Sequence, residues 1–401
     1  MNDLKVNQAK SRTAMGILFA LSFAHFSNDV FQSIVPSIFP MLEESLSLNL
    51  AEIGIIALVY QIFSSIFQPI VGIVFDKKPR PYYLPIGMTF TLVGLAILAY
   101  SMSYLLVLVS VALVGIGSSI IHPEASRLTH LASGGRHGLA QSIFQVGGNL
   151  GGSLGPLLAA LIITPYGQNY IILFSFLALI VILLLSPIYK WYGAKLKEMK
   201  DKKVVLEHIK PNPLTRRKTT FAIVILLILL FSKYVYMASL TNYYTFFLID
   251  KFGVTTQESQ MYLFLFLFSV ALGTLIGGPI GDRIGRKYVI WVSILGAAPF
   301  ALFMPHVGLM GTCILTTTVG VVLASAFSAI LVYAQELLPS KLGLVSGMFF
   351  GFAFGIAGIS AALLGWVANS HGIQFVYDMC AYMPLLGVVA LFLPNVKIVH
   401  S

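Results

Sequence analysis

Apolar runs of about 20 residues, the length needed to cross a bilayer core, recur along the whole chain with short polar links between them. Twelve such runs predict helices at roughly 14–39, 50–75, 82–101, 104–131, 139–163, 170–190, 219–248, 257–281, 288–305, 309–338, 344–368 and 373–393. None shows the two-residue alternation of a strand. The pattern predicts an all-α membrane protein with twelve transmembrane helices. Lys5, Lys10 and Arg12 before the first run imitate a signal peptide. The run continues past Asp29 to Phe39, so it reads as an uncleaved first span.

An even number of spans puts both termini on one side. Of the 25 Lys and Arg residues, all but Lys233 and Lys251 fall on that side or at its helix ends. Basic links mark the cytoplasm, so the expected orientation is N- and C-terminus inside. Composition agrees: 57% of residues are hydrophobic and 10% charged, against about 25% charged in soluble proteins. The net charge of +10 sits in the inner links, beside anionic lipid headgroups rather than on a nucleic-acid-binding face. Cys313 and Cys380 lie inside spans and read as small apolar fillers. No His/Cys spacing resembles a metal site, and no nucleophile–base constellation appears. We therefore expect no enzyme, no cofactor and no nucleic-acid partner, in a chain working as a monomer.

The polar segment 191–218 separates a six-helix bundle at 1–190 from a second at 219–401. It is rich in Lys and ends in Pro211-Asn212-Pro213 and Arg216-Arg217-Lys218. The halves repeat. FSNDVF from Phe26 and FSKYVY from Phe231 are offset by 205 residues, as are Gly138-Leu139 and Gly343-Leu344. Asp76 and Asp282 are offset by 206. Parallel repeats about an axis normal to the membrane, with a site between the halves, define one large transporter class.

The link after the eighth run reads Gly278-x-x-x-Asp282-Arg283-x-Gly285-Arg286-Lys287, and that after the second Gly72-x-x-x-Asp76-Lys77-x-Pro79-Arg80. Glycine permits close helix approach, and the acid suits a neighbouring helix N-terminus or a basic side chain. These links resemble the signature loop of the major facilitator superfamily. They assign Asp76, Lys77, Arg80, Asp282, Arg283 and Arg286 to gating, with Glu336 near the inner end of the tenth run. Gly147-Gly148-x-x-Gly151-Gly152-x-x-Gly155-Pro156 resembles the fifth-helix motif of drug:proton antiporters in that superfamily. Gly151, Gly155 and Pro156 join the gating set, although ordinary close packing explains the same stripe.

A charge at mid-membrane costs at least about 2.5–3.5 kcal/mol, so ionisable residues there mark candidate chemistry. His25 and Asp29, four apart, share a face of the first helix. Lys233 on the seventh aligns with Asn28 across the repeat, which suggests an Asp29–Lys233 attraction across a central cavity. In the fourth run, His122-Pro123-Glu124-x-x-Arg127 places Glu124 and Arg127 three apart, close enough to pair. Asp29 and Glu124 are the proton-carrier candidates, with His25 and His122 assisting. Arg127 and Lys233 are the anion-binding cations, with Asn28, Tyr234 and Tyr236 as polar partners. A packing carboxylate, a static ion pair and packing aromatics remain open alternatives.

Several stretches taken together resemble the bacterial fosmidomycin-resistance efflux proteins: HFSNDVFQS from His25, HPEASR from His122, ASGGRHGLAQSIFQVGGN from Ala132, FSKYVYMAS from Phe231, GDRIGRKYVIW from Gly281 and ASAFSAILVYAQELLP from Ala324. The resemblance spans all twelve runs. It implies a major facilitator fold and proton-coupled antiport of a small anionic drug, a phosphonate–hydroxamate in the namesake case. The same fold and cations also allow proton-symport uptake of a small anionic nutrient.

Overall fold

The computed structural model describes residues 13–48, 50–201 and 214–394. The expected Lys-rich middle of the linker, with Pro211-Asn212-Pro213, lies outside them, as do Lys5, Lys10 and Arg12. The described chain is almost wholly helical and forms twelve segments. In the first half these are α1 (Met15–Ser37), α2 (Leu50–Gln61, through a π-turn at Ile62–Ile66 into Phe67–Lys77), α3 (Tyr83–Ala99), α4 (Tyr104–Ala132), α5 (His137–Leu158, with a π-turn at Ala159–Ile163) and α6 (Ile172–Leu184). In the second they are α7 (Arg216–Phe252), α8 (Thr256–Ile284), α9 (Arg286–Leu295, continued by Ala298–Phe303), α10 (Leu309–Leu337), α11 (Leu342–His371) and α12 (Ile373–Cys380, continued as a 3-10 run Met383–Phe392).

Nine helices among the described residues are long and apolar enough to cross a membrane, and α3 is a shorter apolar helix. The remaining two are the polar members of the set. α1 carries His25, Ser27, Asn28, Asp29, Gln32 and Ser33, and α5 is diluted by five glycines between 147 and 155. Both turn that polarity inward. Lipid-facing positions elsewhere carry exposed Phe19, Leu105, Leu183, Phe264, Met310 and Trp366, the reverse of a water-soluble protein. The sixth span differs from expectation: a second helix, Ser186–Asp201, continues it into the first part of the linker.

Local sequence sets the ends. Thr255 and Glu258 form a reciprocal capping box at the start of α8. Gly253 ends α7 with φ 66°, a left-handed conformation that glycine adopts without a Cβ clash.

Glycines also fix the packing. A Cβ at Gly147, Gly151 or Gly155 would overlap Ser22, the Phe26 carbonyl or Ser33. The stripe on α5 is therefore the seam against α1. On α11, Gly347 and Gly351 lie against Gln68 and Ser65 of α2, so that stripe joins the two halves. Pro156 lies within α5 just before its π-turn.

Candidate functional site

The seam between α1 and α5 brings the His25 imidazole onto the backbone of α5. His25 Nδ1 lies 2.8 Å from the Phe144 carbonyl oxygen. A carbonyl only accepts, so Nδ1 carries the hydrogen and Nε2 faces Asp29, 3.3 Å from Oδ2. His122 reaches the same carboxylate from α4. Its Nδ1 lies 3.1 Å from the Ser118 carbonyl and hydroxyl oxygens, and its Nε2 3.0 Å from Asp29 Oδ1. Asn28 Nδ2 and Gln32 Nε2 each donate to Oδ1 at 3.1 Å, and Tyr60 donates to Gln32 Oε1 at 2.9 Å. Both histidines are buried and the Asp29 side chain is 16% exposed. The carboxylate thus meets two imidazoles at the edge of the space between the halves.

Lys233 of α7 is also buried, and its Nζ donates to the Ala324 carbonyl at 3.4 Å. Among the described residues no carboxylate oxygen lies within 4.0 Å of it. The Asp29–Lys233 ion pair is not formed. The ammonium sits instead 5.5 Å from the Tyr234 ring centre and 5.6 Å from that of Phe327. An aromatic wall connects the two charged places: Phe327 contacts Phe350 edge-on at 5.0 Å, and Phe350 lies 5.2 Å from the His122 ring. Phe354 packs on His122 at 5.0 Å.

The face that carries the basic links is closed between the halves. Gly138 and Leu139 N–H, at the start of α5, donate to Asp282 Oδ1 and Oδ2 at 2.9 Å each. Across the pseudo-two-fold, Gly343 and Leu344 N–H, at the start of α11, donate to Asp76 Oδ1 and Oδ2 at 2.8 Å. Each acid therefore caps a helix of the opposite bundle. Gly72 and Gly278, one turn earlier, let the backbones of Gly343 and Gly138 touch. Arg286 bonds the Gly281 carbonyl, Asp282 and Glu336. Closer to the middle, Gln335 Nε2 donates to Ser346 Oγ at 3.0 Å, and Ser346 Oγ lies 3.2 Å from Ser126 Oγ. His130 Nδ1 lies 3.0 Å from Gln335 Oε1, its own repeat equivalent. Lys77, Arg80 and Arg283 are exposed on the same face.

Two bundles, each lending an acid from the same link to the other, are matched by the family model described as Major Facilitator Superfamily over residues 21–362 and 225–400. The chain belongs to the major facilitator superfamily. It is 55% identical over 388 residues to the Fosmidomycin resistance protein of Escherichia coli (strain K12), covering 96% of this chain and 94% of that one. It is 39% identical to the MFS-type transporter YfnC of Bacillus subtilis (strain 168), over 98% and 96% of the two chains. A crystal structure of the major facilitator FucP in the outward conformation aligns with TM-score 0.74 at 14% identity, covering 96% of this chain and 100% of that one; this likeness shows the fold.

Within this facilitator fold the other candidates sort by depth and direction. Glu124 and Arg127 pair as expected: Arg127 Nε and Nη2 donate to the two carboxylate oxygens at 2.9 Å each. The pair is buried and turns into the first bundle, where Arg127 Nη2 also donates to Tyr192 at 2.5 Å. It shares no bond with the Asp29 group. Tyr236 is fully buried within the second bundle, away from the aromatic wall, whereas Tyr234 lines it, its ring 5.9 Å from Phe327. Sequence reasoning missed Tyr192, which falls in the linker, and Phe350 and Phe354, which look like ordinary apolar positions of α11. It also did not join His122 to Asp29, 93 positions away.

Proposed function

We propose that this transporter exports a small anionic antibiotic, fosmidomycin or one of its chemistry, across the bacterial inner membrane in exchange for protons. The observation that carries the reading is Lys233: a buried ammonium at the Tyr234–Phe327 end of the aromatic wall, with no carboxylate oxygen within 4.0 Å of it among the described residues. Such a charge is expensive to bury and is offset when an anion arrives. The name of the Escherichia coli relative supplies the substrate class.

The two charged places suit the two ends of such a molecule. Lys233 takes the phosphonate anion. Ionised Asp29 accepts a hydrogen bond from the hydroxamate O–H. Protonation of the Asp29 group removes that acceptor, so proton and drug favour opposite states of one carboxylate. Competition of this kind is what exchange requires. Glu124, paired with Arg127 nearer the basic links, is the second exchange group. The basic face is the cytoplasmic one in this reading, so the closed links describe an outward-facing state. Rocking of the bundles breaks the Asp76 and Asp282 caps to open the inner side, with Glu336 and Arg286 supporting the second cap. Lys77, Arg80 and Arg283 hold that face at the headgroups.

The test is fosmidomycin susceptibility of an efflux-deficient bacterium expressing the chain, beside Asp29→Asn and Lys233→Ala at matched membrane levels. Protection by the unaltered protein, lost in both variants, supports export through these charges. No protection by the unaltered protein overturns the export reading. Drug accumulation that rises with expression would replace it with proton-symport uptake, which the positive charge of a doubly protonated His25–Asp29–His122 group also fits.

A further inference from the structure

The His25–Asp29–His122 group has an unusual bonding pattern. His25 Nδ1 faces the Phe144 carbonyl, and His122 Nδ1 the Ser118 carbonyl with the Ser118 hydroxyl also at 3.1 Å; carbonyls only accept, which favours a hydrogen on each Nδ1. When the rings are neutral, both Nε2 atoms then turn lone pairs toward a carboxylate, which itself only accepts. His25 Nε2 is buried and makes no hydrogen bond, although His25 is only 2% exposed. Three acceptors converging on one point need something positive between them. Two protons supply it. So does one divalent cation, which leaves the same net charge on the group.

We infer that His25 Nε2, Asp29 and His122 Nε2 form a binding site for a divalent transition-metal cation such as Zn2+ or Co2+, at the edge of the interbundle space. The donor set has the composition of open metal sites: two imidazoles and one carboxylate, leaving a further position for water or an anionic oxygen. The donor atoms lie within 4.8 Å of one another. Ligand atoms around a tetrahedral ion with bonds of ~2.0 Å are ~3.3 Å apart, so side-chain shifts of about an ångström seat the ion. The supporting shell is in place. Each histidine donates its other ring N–H to a carbonyl, the arrangement that fixes the ligating nitrogen of metal-bound imidazoles. Asn28 and Gln32 hold Asp29 through Oδ1 alone, which leaves Oδ2 beside His25. Room is reserved as well: a Cβ at Gly148 would overlap the His25 ring and touch Asp29 Oδ2.

Nitrogen-rich borderline ligands of this kind favour Zn2+, Co2+ and Ni2+ over Mg2+ and Ca2+. An ion here ties α1 to α4. The site stands on geometry alone and does not depend on which drug is carried or in which direction.

The experiment uses the full chain, purified without a histidine tag in detergent, titrated with Co2+ and read by its visible d–d absorption, then back-titrated with Zn2+. One equivalent of Co2+ should produce a saturable band that Zn2+ removes. His25→Gln, His122→Gln and Gly148→Ala should each weaken binding by at least about tenfold, while His371→Gln leaves it unchanged. Thermal unfolding gives a second reading: Zn2+ should raise the Tm of the unaltered protein, as a ligand of the folded state does, but not that of His122→Gln. No saturable band, or an equal band in His25→Gln and His122→Gln, overturns the site. Neither result bears on fosmidomycin protection, which is measured separately in cells.

Discussion

Replacing Asp282 by Ala removes both acceptors at the start of α5, the Gly138 and Leu139 amides at 2.9 Å, from one of the two symmetric caps. A hydrogen bond to a charged group contributes about 1.5–3 kcal/mol. Two would give about 3–6 kcal/mol in isolation. The Asp282 side chain is 17% exposed, and the freed amides meet water once the face opens, so ~2–3 kcal/mol is the better figure. At ~1.4 kcal/mol per decade this moves the opening equilibrium of the basic face about 30–140-fold. Asn keeps one acceptor oxygen, so Asp282→Asn should shift it by roughly 5–12-fold on the same scale. Arg286 loses its Asp282 contact in the Ala variant but stays anchored by Glu336 and the Gly281 carbonyl. Spin labels at positions 136 and 341, exposed in links of opposite bundles, report the opening by double electron–electron resonance. Cys313 and Cys380 are buried and interfere little with labelling. The long-distance population should rise in the order wild type, Asp282→Asn, Asp282→Ala, and further when Asp76→Ala is added. An unchanged distribution in Asp282→Ala would refute the cap as the element that holds this face closed.

Lys233→Met removes a buried charge that has no carboxylate partner among the described residues, so it should raise the Tm by several degrees while abolishing drug protection; a fall in Tm in a thermal-shift assay would show that the ammonium is structural. Glu124→Gln leaves Arg127 buried without its carboxylate, a loss of about 3–5 kcal/mol, and should lower Tm and membrane yield sharply. If Glu124→Leu/Arg127→Met restores both yield and transport, the pair is a structural brace and not an exchange group. Gly151→Ala places a Cβ into the Phe26 carbonyl and should cost about 1–3 kcal/mol, whereas Gly152→Ala meets nothing within 4 Å and should leave Tm equal or higher. Equal Tm values for the two would remove the α1–α5 seam as a packing constraint.

Much of the architecture was legible in the sequence because it rests on length and composition. Spans follow from hydropathy, and the links from motif residues whose 205–206 offset says which must be equivalent. That Asp76 reaches the start of α11 and Asp282 the start of α5 is the spatial form of that repeat. Helix azimuth was not legible. In a bilayer, lipid-facing and core-facing side chains are both apolar, so the hydrophobic pattern does not say which face turns inward. This is why the direction of the Glu124–Arg127 pair, which turns toward Tyr192 and away from the Asp29 group, could not be read, and why Phe350 and Phe354 gave no signal. The meeting of His122 with Asp29 depends on the approach of three helices, which the glycines of α5 permit but do not announce. Tyr236 shows the same ambiguity: it lies two residues beyond Tyr234 on α7, about half a turn away, and is buried in the bundle instead of lining the aromatic wall.

The proposed exchange of protons for an anionic drug through the Asp29 group can be measured in reconstituted vesicles. With the protein in the membrane and a pH-sensitive dye inside, fosmidomycin added to one side should move protons the opposite way to the drug, reversibly with the imposed gradient. Asp29→Asn should abolish the drug-driven proton signal. Proton movement in the same direction as the drug, or a full signal in Asp29→Asn, would rule out exchange through this group.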